Sequence, residues 1–139
     1  MRYFILCLCV FVLVGCQAPS MNAQRYGCRA AGDGAATFAL DEVNIENVDL
    51  TKQEAKKVIL DIKKFVEEGD ISNLLTGELE QQLLNLVPDE YKFYVVQVMA
   101  VVKIQHVDTD KIGNDNKKRI LAVLDGLLTG IDCYDKDDR

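Results

Sequence analysis

The run Asp108-Thr109-Asp110-Lys111-Ile112-Gly113-Asn114-Asp115-Asn116 is the part of this 139-residue chain that most invites a metal ion. Counted as a twelve-residue calcium loop, it puts side-chain oxygens at positions one, three and nine and a glycine at six, where such a loop turns sharply. Position five is Ile112 and position twelve is Arg119. Coordination needs an oxygen at the first and a bidentate Glu at the second, and an arginine there would place a cation in the ligand shell. The run therefore reads as a polar turn between two helices, and no metal site is expected. His106 is the one histidine; helical spacing sets it on the side of Val95 and Met99, as a boundary residue rather than a base. Ser20 and Ser72 are the only serines, neither near a base, and no Gly-rich phosphate cradle or pair of facing carboxylates is present. The expectation is a protein that is not an enzyme and carries no cofactor.

Cysteine chemistry is more informative. Arg2 is followed by an uncharged run over residues 3–14, too short for the ~20 residues that a membrane-spanning helix requires. The run closes on Leu13-Val14-Gly15-Cys16. This motif resembles the lipobox of bacterial lipoproteins. The resemblance implies cleavage of residues 1–15 as a signal peptide, a diacylglycerol on the Cys16 thiol, and acylation of the freed amine. Several acyl chains, each worth ~0.8 kcal/mol per buried methylene, make a stable anchor where one does not. Gln17 follows the cysteine, in place of the Asp that marks inner-membrane retention in enteric bacteria, so the resemblance implies the outer membrane. In a Gram-positive host it would mean the outer leaflet of the single membrane.

Residues 17–34 combine Pro19, Ser20, Asn22 and Gln24 with three glycines and show no apolar periodicity. They read as a flexible tether, giving a lipidated N-terminus and linker over 16–34 and a helical domain over 35–139. With the leader removed and Cys16 acylated, Cys28 and Cys133 remain. In an exported chain they most simply form one structural disulfide. A redox pair usually shows Cys-x-x-Cys spacing, and a metal site needs more ligands than these two cysteines and one histidine.

The elements that follow are helical. Residues 35–50 mix apolar and acidic positions and read as irregular structure. Thr51 and Glu54 fit a capping box, with Leu50 as a hydrophobic staple. Ala55, Val58, Ile59, Ile62, Phe65 and Val66 then form one stripe that ends at Gly69. Leu60 lies on the opposite side, a candidate partner contact. A Leu-rich helix spans about 70–87, weakened at Gly77 and closed by Pro88. A third begins at Pro88-Asp89-Glu90, and 11 of the 14 residues over 91–104 are apolar on all sides, the pattern of a helix wrapped by its neighbours. Its Val96 and Val101 are the candidate lining of an open groove. The last helix runs from near Asn116 to Thr129, with Gly130 suited to its C-terminal cap and Lys117, Lys118 and Arg119 at its start.

The formal net charge of −6 becomes −7 without the leader, whose single charge is Arg2. This balance opposes nucleic-acid binding and broad adhesion to anionic lipid. The expected fold is all-α, a small bundle of about four helices after a cleaved signal peptide, closed by Cys28–Cys133. The expected function is that of a membrane-anchored envelope lipoprotein acting as a protein-interaction module, whether a pilotin-like scaffold or an exclusion lipoprotein that blocks a receptor. The partners would be the membrane, through lipid on Cys16, and an envelope protein. A carrier that binds a small apolar or lipid ligand between its helices is the alternative. The sequence leaves the oligomeric state open.

Overall fold

A computed structural model describes residues 20–41, 48–103 and 110–134. Five α-helices account for most of them: α1 (Met21–Asp41), α2 (Val48–Glu68), α3 (Thr76–Leu86), α4 (Lys92–Lys103) and α5 (Gly113–Cys133). Among the described residues there is no strand beyond an isolated bridge between Leu75 and Lys111. The all-α expectation holds, with five helices rather than four.

The extra helix is α1, which corrects the tether reading over residues 21–34 and the irregular reading over 35–41; residues 17–19 and 42–47 lie outside the described residues. The Ser20 hydroxyl accepts the Ala23 N–H at 3.2 Å, in the manner of an N-cap. Cys28, Ala31, Ala35, Ala36 and Leu40 then recur at three- and four-residue spacing and are all buried. All but Leu40 are small, so the stripe carries little hydrophobicity per residue, and that is why it is not apparent from large apolar side chains.

What small residues provide is proximity. A Cβ on Gly32 would lie 2.2 Å from the Val123 carbonyl oxygen, and one on Gly126 would lie 1.9 Å from that of Arg29. A Cβ on Gly130 would meet both the Asp33 oxygen and the Ala36 methyl within 3 Å. The two backbones therefore touch, and Gly126 and Gly130, one turn apart, admit α1 much as small-xxx-small motifs admit a neighbour in membranes. Gly130 thus lies inside α5, not at its cap, and α5 continues to Cys133.

These contacts also fix direction. Gln24 bonds to Arg119, Arg29 meets Gly126, and Asp33 meets Gly130, so α1 and α5 run parallel. Cys28, one residue before Arg29, is then level with Asp125, and Cys133 lies farther along by about eight residues, or ~12 Å at 1.5 Å per residue. A disulfide needs Cα atoms within ~7 Å. The expected Cys28–Cys133 bridge is accordingly not formed: Cys133 is a free, exposed thiol, and no disulfide joins two described residues.

Helix α5 is the hub, packed against α1, α2, α4 and the 3₁₀ turn Ile71–Asn73. Helix α2 runs antiparallel to it, with Lys56 on Asp132 and Lys63 on Asp125, both at 2.8 Å. Ala55, Ile59, Ile62 and Val66 make its buried stripe. The helix begins at Val48, so Thr51 lies within it and the expected capping box does not form. At the other end the Lys117 ammonium donates to the carbonyls of Glu67 and Gly69, which satisfies acceptors that a helix C-terminus leaves open. The break before α3 falls just ahead of Gly77, where the Leu75 N–H donates to the Glu78 carboxylate. Thr76 and Ile112 are tied to the Asp110 and Leu74 carbonyls. Val87, extended ahead of Pro88, turns the chain into the 3₁₀ turn Asp89–Tyr91 and α4.

Candidate docking surface

Between the N-terminal half of α2 and the elbow that joins α3 to α4 lies an open cleft of about 560 Å³. The α2 wall presents Glu54, Lys57, Val58 and Asp61, whose spacing places them on one helical face. The elbow contributes Leu86, Pro88, Glu90 and Tyr91. Leu50 lies one turn before Glu54 on the same face. Leu50 is 59% exposed and Leu86 44%, so the rim offers branched apolar side chains to water.

The two walls are joined by the Tyr91 hydroxyl, which donates to Glu54 Oε2 at 2.7 Å. Burial first, and the Glu54 carboxylate next, push the Tyr91 phenol up to about 12, so it stays a neutral donor at any physiological pH. The Tyr91 ring stacks on Tyr94 at 6.3 Å between centroids, and Tyr94 meets Phe93 edge-on. Tyr94 is buried, which anchors the elbow to the core. Glu54, Asp61 and Glu90 outnumber the single Lys57, and the cleft is acidic.

The residues singled out from sequence fall in different places. Leu60 is 45% exposed and shares a flank of α2 with Lys56 and Lys63, along the seam with α5. Val96 is 54% exposed on the outer face of α4, one turn beyond the half-exposed Phe93. Neither borders the cleft, and the two do not converge on a single site. The Val101 side chain, His106, and Cys16 with its leader lie outside the described residues. The cleft itself was missed because Leu50 and Leu86 look like a staple and a core leucine when only helical spacing is available.

The acid-rich run near α5 is engaged structurally. The Asp110 carbonyl accepts both the N–H and the hydroxyl of Thr76, and Asp115 pairs with Lys118 at 3.9 Å. Among the described residues no three potential metal ligands gather. No described helix is long and apolar enough to cross a membrane. No family model, curated protein or solved structure matches the chain.

Proposed function

We propose that this protein is a lipid-anchored envelope lipoprotein that works without catalysis, by docking another envelope protein in the cleft between α2 and the α3–α4 elbow. The anchor rests on the lipobox-like motif ending at Cys16, and the address on the outer membrane rests on Gln17 after it. The observation that carries the docking role is the exposure of Leu86 in the cleft lining, with exposed Leu50 one turn before Glu54 on α2. Burying two leucines of this exposure against a partner contributes on the order of 1 kcal/mol each, and an acidic rim adds selectivity among partners. Escort of a partner and occlusion of a receptor both need such a surface. The openness of the cleft supports docking over the enclosed ligand site that a carrier would use.

A photo-crosslinker at position 57 should trap the partner in the cell envelope. In the complex reconstituted from purified components, Leu86→Glu and Leu50→Glu should each weaken binding about tenfold or more, with the helical circular dichroism unchanged. If both variants bind as the wild type does and Val96→Glu abolishes binding, the docking face is that of α4 and the cleft is not the site.

A further inference from the structure

We propose that Arg25 and Arg29, with Asn22 and Tyr26 beside them on α1, form a recognition site for a phosphate group. They border a concavity of about 290 Å³ whose other walls are Ala122 and Asp125 of α5. Ala122 is a small residue at the point where the helices meet, and its size leaves the hollow open.

Elsewhere the cations near the α5 surface are committed. Lys56, Lys63 and Lys118 pair with Asp132, Asp125 and Asp115, Lys117 holds the end of α2, and Arg119 bonds to Gln24 and Asn116. The cluster at residues 117–119 is therefore occupied by protein partners. Arg25 is exposed and has neither a hydrogen bond nor an ion pair among the described residues. Arg29 donates only to the Thr129 hydroxyl, at 3.3 Å, which itself donates to the Asp125 carbonyl. Thr129 thus orients one guanidinium without neutralising it. The one acid in the hollow, Asp125, is held by Lys63 at 2.8 Å.

Arg25 and Arg29 are one helical turn apart, close enough for both to reach one small anion. Guanidinium forks match the oxygens of a phosphate. The Asn22 amide and the hydroxyl of Tyr26, which is 75% exposed, add donors on the same face. A local pair of unopposed arginines is compatible with an acidic chain, because the rest of the acidic surface is screened over about 8–10 Å.

The phosphate has two possible sources, a lipid headgroup or a soluble phosphorylated molecule. Cys16 precedes Met21 by five residues, so α1 starts within ~18 Å of that thiol. If Cys16 is acylated, headgroups are in reach. The site itself depends neither on the anchor nor on the cleft.

The test uses the full-length protein and follows the arginine Nε–H resonances. Inorganic phosphate is titrated first, then phosphatidylcholine vesicles with and without phosphatidic acid. Saturable shifts of Arg25 and Arg29 are expected, and Arg25→Gln with Arg29→Gln should weaken them about tenfold or more. A response to inorganic phosphate and none to phosphatidic acid assigns a soluble ligand. A response that appears only with phosphatidic acid assigns the headgroup. No saturable shift with either probe, or equal binding by the double variant, overturns the proposal. Should the double variant unfold, phosphate must slow phenylglyoxal modification of Arg25 and Arg29 in the wild type. Equal rates with and without phosphate overturn it too.

Discussion

Gly126 and Gly113 both belong to α5 and resist substitution for unlike reasons. A methyl at Gly126 would overlap the Arg29 carbonyl at 1.9 Å, and only displacement of α1 relieves it. Such overpacking costs ~1–3 kcal/mol, against a gain of ~1 kcal/mol in helix propensity. Gly126→Ala should therefore lower stability by up to ~2 kcal/mol and speed amide exchange along α1. Gly113 has open space around it but φ of +71°, so Gly113→Ala should cost ~1 kcal/mol through backbone strain and leave α1 exchange unchanged. Urea midpoints with hydrogen exchange separate the two. Tyr91 gives a pH signature. Its folded value of about 12 lies above the ordinary 10.0, so its neutral form is favoured on folding. That stabilisation is fully present below pH 10 and is lost as pH rises towards 12. Tyr91→Phe should flatten part of the alkaline fall in stability. Buried Tyr94 and the Asp125-bound Lys63, both also raised, should contribute to what remains.

At the scale of the elements, Lys117 outweighs the ion pairs of the same interface. It bonds two carbonyls at the end of α2, whereas Lys56–Asp132 is about half exposed on both sides. Exposed pairs contribute ~0–1 kcal/mol, and hydrogen bonds from a charged donor contribute ~1.5–3 kcal/mol before solvent screening. Lys117→Met should therefore cost more than Lys56→Met, by ~1 kcal/mol in urea melts. This role was hidden in the sequence, where residues 117–119 look like a cationic cluster at a disfavoured helix start. Helices α2 to α5 were legible, because Ile59, Ile62, Leu79, Leu83, Ile120 and Leu127 are large and correctly spaced. Helix α1 was not, since Cys28, Ala31, Ala35 and Ala36 signal burial only in the presence of Gly126 and Gly130, about a hundred residues away. The cleft was illegible for the same reason: exposure of Leu50 and Leu86 is a property of how α2 and the elbow meet.

For the whole molecule, α1 changes where the domain sits and what holds it together. A tether reaching to residue 34 would let the domain drift from its anchor. A helix beginning at Met21 leaves residues 17–20 between it and Cys16, so the folded part would be held within ~18 Å of an acylated thiol. The parallel course of α1 and α5 also separates Cys28 from Cys133, so no bond between those two residues closes the domain. Cys133→Ala should alter stability by less than ~0.5 kcal/mol, as an exposed substitution does, and peptide mapping without reductant should find no Cys28–Cys133 bridge. The anchor has a direct test. Cells expressing the wild type should incorporate labelled palmitate into this chain and retain it in the membrane fraction. Cys16→Ser should lose the label and accumulate as the uncleaved precursor, while the described helices, of which the first begins at Met21, keep their helical spectrum. Wild-type protein that stays unlabelled and uncleaved would remove the anchor and the envelope address, yet leave the cleft and the arginine pair to be judged on their own binding data.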